Sequence, residues 1–221
     1  MIFRDRIEAG QLLARELDSY RDDPRGVILA LPRGGVVVGY ELGLALRMPL
    51  DVFITQKLST ADNPEYALGA LSETGAIYLN SDAVDMFSFS HDEIESMIQA
   101  QRPEVTRRRV LYRQGRALPA LVDRTVILVD DGIATGATFF ATIEAITELS
   151  PRRIVAAIPV APRDTIVRVR RAVDELIVLA TPEPFVAVGH YYENFTQVED
   201  GQVLTLLKAA QNAQHSCPSQ T

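Results

Sequence analysis

Two adjacent acids, Asp130 and Asp131, end the apolar run Val126-Ile127-Leu128-Val129 and open a loop of small residues, Gly132-Ile133-Ala134-Thr135-Gly136-Ala137-Thr138. An apolar-periodic stretch from Phe139 to Leu149 follows. The order reads as strand, acid pair, small-residue turn and helix. Small residues let the backbone approach an anion, the hydroxyls of Thr135 and Thr138 add donors, and the free N–H groups of a new helix point at the bound group. The loop holds no Lys or Arg, so a phosphate there depends on neutral donors and the helix dipole. The two carboxylates would repel that phosphate if they shared its position. They are expected to face hydroxyl groups, such as a ribose 2′,3′-diol, and a sugar 5-phosphate fits this division of labour. Taken alone, acids at the end of a strand also occur in ordinary βα turns.

A second loop has matching chemistry. Gly26 opens the short apolar run Val27-Ile28-Leu29-Ala30-Leu31, and Pro32-Arg33-Gly34-Gly35 breaks it. Two glycines permit tight backbone and close approach to an anion, and Arg33 offers a bidentate cation. Alone, this is a turn with a solvated arginine. Its weight comes from its pairing with the acid loop.

The elements that must position both loops follow from periodicity. Ile7, Leu12, Leu13 and Leu17 have helical spacing, and Val36 to Leu46 reads as a second helix. A strand is expected at Asp51 to Thr55 and a polar loop over residues 56–66. Ala67 to Ser72 and Ala76 to Asn80 flank Glu73-Thr74-Gly75 as a hairpin. His91 to Arg116 reads as a long charged helix that Pro103 should kink or split. Strand 126–130, helix 137–149, strand 153–159, helix 163–172, strand 175–180 and a last helix from Asp200 to Ala210 complete the chain. Alternation of apolar strands and helices argues for a parallel sheet wrapped by helices, with ligands at the carboxyl ends of the strands where strand order reverses.

Composition narrows the function classes. The chain has 221 residues, 47% of them hydrophobic and 23% charged, which suits one domain over residues 1–210 with a flexible tail at 211–221. A net charge of −7 argues against a general nucleic-acid binder. One cysteine, Cys217 in the polar tail, cannot form an internal disulfide, and the start of the chain lacks an export signal, so the expected location is cytoplasmic. No run approaches a membrane span. Arg107, Arg108, Arg109, Arg113 and Arg116 are expected to form a solvated basic face balanced by Glu93, Glu95 and Glu104; an oligomer or weak nucleic-acid contact is the other use of such a face. His190 is read as structural or solvated, His91 as part of a helix start, and His215 as part of the tail. No HExxH, paired CxxC, GxxxxGK[ST], GxGxxG or GxSxG occurs.

The stretch from Val126 to Thr138 resembles the signature of type I phosphoribosyltransferases, which bind 5-phosphoribosyl-1-diphosphate (PRPP). Pro32 to Gly35 resembles the family's pyrophosphate loop, and the resemblance makes Pro32–Arg33 the candidate for a cis peptide. Gln56-Lys57-Leu58 to Leu68-Gly69-Ala70 is similar to the mobile loop that closes over PRPP. Glu183 to Tyr192 is similar to the hood over the acceptor base, where Phe185, Tyr191 and Tyr192 are available for stacking. The implied fold is α/β: a five-stranded parallel sheet flanked by helices, with a hairpin-shaped flexible loop and a small hood built from about 181–198 and the N-terminal helix.

The implied activity is Mg²⁺-dependent transfer of 5-phosphoribosyl from PRPP to a nitrogenous base or amine, with pyrophosphate released. The carry-over gives Asp130 and Asp131 the catalytic role and a share in holding Mg²⁺, directly or through water. Ala134, Thr135, Gly136, Ala137 and Thr138 take the 5′-phosphate, and Arg33, Gly34 and Lys57 the pyrophosphate. Partners are then PRPP and a small acceptor, without membrane or nucleic acid, and a homodimer is the assembly the family admits. Relatives acting on 6-oxopurines carry an aspartate where this chain has Ala134, which argues against hypoxanthine, guanine or xanthine. A PRPP- or nucleotide-sensing regulator with the same fold is the alternative reading. A PRPP-synthetase-like subunit is disfavoured, because such chains are longer and carry two such domains.

Overall fold

The computed structural model describes residues 1–59, 68–80 and 89–215, with residue 215 described by its backbone only. Five strands, β1 (Gly26–Ala30), β2 (Leu50–Val52), β6 (Thr125–Val129), β7 (Arg153–Val160) and β8 (Glu175–Ala180), form one sheet in the order β2-β1-β6-β7-β8, with every neighbouring pair parallel. Successive side chains of a strand point to opposite faces, and both faces are apolar. Ile28 and Ala30 of β1 and Ile127 and Val129 of β6 join one core. It is closed by α1 (Arg6–Glu16), α2 (Gly34–Leu46), α3 (His91–Arg113) and α6 (Asp200–His215). Val27, Leu29, Val126 and Leu128 join the other, closed by α4 (Ala137–Thr147) and α5 (Arg163–Ala172). Strands buried on both faces must read as continuous apolar runs, which is why the sequence reveals them.

The expected strand at 51–55 and loop at 56–66 are corrected. β2 stops at Val52, and Thr55–Leu58 (β3) starts a second, antiparallel sheet with β4 (Gly69–Ser72) and β5 (Ile77–Leu79). Buried Phe53 and Ile54 make the joint. The hairpin around Glu73-Thr74-Gly75 is present, with Gly75 at φ 94°. Residues 60–67, the middle of the loop compared with the family's mobile loop, lie outside the described residues, as does Cys217.

Pro103 neither splits nor ends α3, which runs unbroken from a Ser90 capping box to Arg113. Proline removes one hydrogen bond to the carbonyl four residues back. Here that carbonyl belongs to exposed Gln99, so water can take it, while Ile98, Val105 and Tyr112 hold the opposite face in the core. The expected basic face is corrected at one position: Arg113 is buried, 1% exposed, and bound to Glu73 and Asp51. The last helix extends past Ala210 to His215. Among the described residues no helix is long and apolar enough to cross a membrane.

The N-terminus and the segment after β8 lock together. Phe3 N donates to the Tyr191 carbonyl at 2.8 Å, and Glu193 N donates to the Phe3 carbonyl at 2.8 Å. Phe3, Ala9, Val160 and Tyr192 form a small third core beneath them.

Candidate functional site

In the sheet order, β2 lies to one side of β1, whereas β6, β7 and β8 run off to the other. The order therefore reverses between β1 and β6, and the crevice beyond the carboxyl ends of these two strands is the place for a ligand. Both loops with suitable chemistry leave from it. Leu31 N donates to the Val129 carbonyl at 3.0 Å, which ties the loop roots together. The Pro32–Arg33 peptide is cis.

The glycines explain how closely the loops meet. A Cβ on Gly35 would lie 2.9 Å from Asp130 Cα, and one on Gly34 would overlap the Asp131 carboxylate and come within 2.9 Å of Arg6 Nε. Only residues without a side chain let the Arg33 turn rest on the acid pair. Asp130 Oδ1 accepts from Asp131 N at 2.8 Å, and Asp131 Oδ2 accepts from Arg6 Nε at 2.6 Å. Tyr192 Oη donates to the Asp131 carbonyl at 2.6 Å. Tyr192 is thus a buried packing and anchoring residue, a correction to its expected use in stacking.

Both acids have carboxyls pushed above the usual range. For Asp130 the shift is large, and its main cause is burial, reinforced by the neighbouring charge of Asp131. Burial also raises Asp131, against the pull of the Arg6 guanidinium.

The small-residue loop then crosses to α4. Ile133 N donates to the Val160 carbonyl at 2.9 Å, and Thr165 Oγ1 donates to the Ala134 carbonyl at 2.8 Å, so the loop is anchored to β7 and α5. Gly136 caps the helix at φ 80°, a left-handed conformation that favours glycine, and a Cβ there would crowd the Phe140 ring at 2.9 Å. The N–H groups of the first helical turn have no intrahelical acceptor. Ala134 and Thr135 are exposed at the loop's outer edge, and Thr138 is half-buried in that first turn.

The remaining expected residues spread outward. Arg33 lies 3.7 Å from Glu199 and 4.0 Å from Asp200, at the start of α6. Asp200 also accepts from Tyr112 Oη at 2.6 Å. Lys57 is half-buried on β3 opposite Ala70, in a different sheet from the acids. Beside the loop, Ala134 and Thr135 share an open cleft of about 940 Å³ with Pro162 to Thr165, Arg168 and Pro182 to Val186. Phe185 lines this cleft. Tyr191 stacks on Phe185, with ring centroids 5.4 Å apart, and its hydroxyl donates to the Pro184 carbonyl at 3.1 Å.

Two cations escaped sequence reasoning. Arg6 reaches Asp131 across 125 positions of chain, beyond any local pattern. Arg168 lies over the Phe140 ring at 4.5 Å and donates to Tyr78 Oη at 2.7 Å, at the edge of the cleft. Its place on the polar side of α5 was legible, but nothing in the sequence connected it with β5.

Comparison with known proteins agrees with this geometry. A family model described as "Phosphoribosyl transferase domain" matches residues 5–193. Proteins of two Mycobacterium tuberculosis strains, which carry a provisional phosphoribosyl transferase name, are 39% identical over 209 residues. The match covers 95% of this chain and 47% of theirs. The chain therefore spans about half the length of the curated relatives it matches. The crystal structure of TT1426 from Thermus thermophilus superposes with a TM-score of 0.77 at 39% identity, over 94% of this chain and 98% of that one. An Aquifex aeolicus protein, AQ2163, shares the fold with a TM-score of 0.50 at 15% identity, over 81% of this chain and 74% of that one. With a five-stranded parallel sheet, an acid pair at its switch point and a family match spanning most of its length, this chain belongs to the phosphoribosyl transferase domain family.

Proposed function

We propose that this chain transfers a 5-phosphoribosyl group from PRPP to a nitrogenous base or amine, with Mg²⁺ and with release of pyrophosphate. The observation that carries the reading is the contact of the two loops at the switch point, where Gly34 and Gly35 lie against Asp131 and Asp130. Asp130 and Asp131 grip the ribose diol and stabilise the positive charge that develops on the sugar as the leaving group departs. The backbone of residues 134–138 with the hydroxyls of Thr135 and Thr138 takes the 5′-phosphate. Arg33, Gly34 and Lys57 take the pyrophosphate; the long contacts of Arg33 to Glu199 and Asp200 are loose enough to exchange for a phosphate.

The donor set suits Mg²⁺. Among the described residues there is no group of three or more His, Cys, Asp or Glu side chains that could hold a metal. A site of two carboxylates, completed by substrate oxygens and water, is how this hard cation is commonly bound. Asp130 and Asp131 would hold it, directly or through water. When bound, it supplies charge neutralisation for the phosphate oxygens.

The 940 Å³ cleft is the place for the acceptor. Phe185 offers a ring face there, and Tyr191 supports it from behind. Ala134 at the cleft brings no acid to a base nitrogen, which disfavours 6-oxopurines.

Thermal melts with PRPP and Mg²⁺ test the donor half. A ligand at 100 times its Kd stabilises by about 2.7 kcal/mol, a rise on the order of 5–10 °C for a chain of this size. Asp131→Asn should abolish that rise, and an unmoved wild type refutes the assignment. Pyrophosphate release across purines, pyrimidines and amines tests the acceptor half; silence throughout, with PRPP bound, turns the reading to a sensor.

Gly34→Ala probes the loop contact separately. Its methyl group must displace the Asp131 carboxylate, and losing a charge-assisted hydrogen bond costs about 1.5–3 kcal/mol, on the order of 10- to 100-fold in affinity. Calorimetry with ribose 5-phosphate should show a loss of that order, and retention of wild-type affinity would contradict the contact.

A further inference from the structure

The N-terminal helix enters the crevice through one side chain. Arg6 is 8% exposed, and its guanidinium is fixed from several directions. Nε donates to Asp131 Oδ2 at 2.6 Å, Nη1 donates to the Thr196 carbonyl at 2.9 Å, and the Phe195 ring lies 3.8 Å from Cζ. Gly34 leaves the space the guanidinium occupies, because a Cβ there would come within 2.9 Å of Nε. Arg6 therefore sits where the acid pair, the Arg33 turn and the segment after β8 meet.

The consequence falls on the two acids. Asp130 Oδ1 is engaged by Asp131 N, and Asp131 Oδ2 by Arg6. The two carboxyls also lie side by side in hydrogen-bonding contact with each other. Two vicinal hydroxyls need two acceptors side by side, and incoming hydroxyls can exchange for the contact between the acids, taking one oxygen from each. Without Arg6 the Asp131 side chain would be free to turn, and the carboxylates, held in one turn of chain, would repel each other and the incoming polyanion. A planar guanidinium, stacked on a ring and bonded through two nitrogens, holds an orientation that a flexible ammonium would not.

We propose that Arg6 is a positioning residue of the sugar site: it occupies one oxygen of Asp131 so that the other faces the ribose hydroxyls. The inference rests on the reading of the acid pair as a diol grip. It makes the N-terminal helix part of the ligand site, completing what the two sheet loops begin.

The test is sugar discrimination. Calorimetric affinities for ribose 5-phosphate, 2-deoxyribose 5-phosphate and 3-deoxyribose 5-phosphate are compared in wild type, Arg6→Gln, Arg6→Lys and Phe195→Leu. Wild type should prefer the full diol by about tenfold or more. Arg6→Gln should lose most of the preference over at least one deoxy sugar, Arg6→Lys should recover part of it, and Phe195→Leu should fall between. A general loss of structure would weaken all three sugars alike and leave their ratio unchanged. If wild type prefers no sugar, the diol grip itself fails. If wild type discriminates and both Arg6→Gln and Phe195→Leu discriminate equally well, the inference about Arg6 is overturned while the diol grip stands. Should Arg6→Gln not fold, Arg6→Lys and Phe195→Leu decide by the same ratio.

Discussion

Asp130→Asn is expected to melt higher than the wild type in the absence of ligand, yet to show no stabilisation by PRPP and Mg²⁺. The first half follows from the carboxyl's environment. Burial, with the charge of Asp131 beside it, pushes the Asp130 carboxyl well above its ordinary value. The folded chain therefore holds this proton more tightly than the unfolded chain, whose aspartates titrate near ~3.9. Below that pH the group is protonated in both states and adds nothing to the pH dependence. As pH rises from there through the elevated folded value, the unfolded state gives up its proton first and native stability is lost. Above the unfolded value the fold therefore holds this carboxyl at a cost, as a disfavoured charge or as a proton retained against the solution pH.

The amide keeps the size and removes the charge. A gain on the order of 1 kcal/mol is in line with other relieved functional sites, about 2–4 °C for this chain length. The gain should shrink toward zero near pH 4, and melts recorded with a chelator at both pH values measure it. An amide cannot serve as the anionic end of a diol grip, so the ligand-induced rise should vanish. A variant that melts lower at pH 7 and still responds to PRPP would contradict both halves.

That trade explains which parts of the site were legible. Asp130 and Asp131 stand where a doubly buried strand ends, and such a strand must be a run of apolar residues, so the acids that break it are conspicuous. Gly34, Gly35 and Gly136 were legible for the related reason that crowded turns exclude a Cβ. The cis Pro32–Arg33 peptide came only through resemblance, since no residue type encodes it. Arg6 and Arg113 were hidden, because a buried arginine and a solvated one have the same letter and the same helical spacing. What buries them is a partner far along the chain: Asp131 for Arg6, and Glu73 and Asp51 for Arg113. Thr55–Leu58 was misread because its neighbours on β4 supply the pattern that its own sequence lacks.

Arg113→Ala is expected to destabilise the fold more than any surface arginine change. The guanidinium donates to Glu73 through both terminal nitrogens, to the Val52 carbonyl at 2.6 Å and to Asp51 at 3.4 Å. The Glu73 side chain is itself 3% exposed and accepts from Ile54 N at 2.8 Å. One side chain therefore binds α3, the end of β2 and the turn after β4, the elements that join the antiparallel sheet with Lys57 to the main sheet. Its removal leaves two buried carboxylates without their cation, a change worth about 3–5 kcal/mol, or a fall on the order of 10 °C in Tm.

Arg109→Ala, on the exposed side of the same helix, should shift Tm by no more than about 2 °C, because surface changes stay within about 0.5 kcal/mol. Lysine at 113 should recover little, since a point charge cannot meet Glu73, Val52 and Asp51 at once. Burial already raises the Asp51 carboxyl, with Arg113 holding it down. Once the arginine is gone, Asp51 should keep its proton to still higher pH in the fold than when unfolded. The deficit relative to wild type should therefore be smallest near pH 4 and grow as pH rises. Arg113→Met combined with Glu73→Gln removes one charge of each sign and should restore part of the loss at neutral pH, whereas equal melting of the single and double variants would mean that the arginine acts through packing and not through its charge.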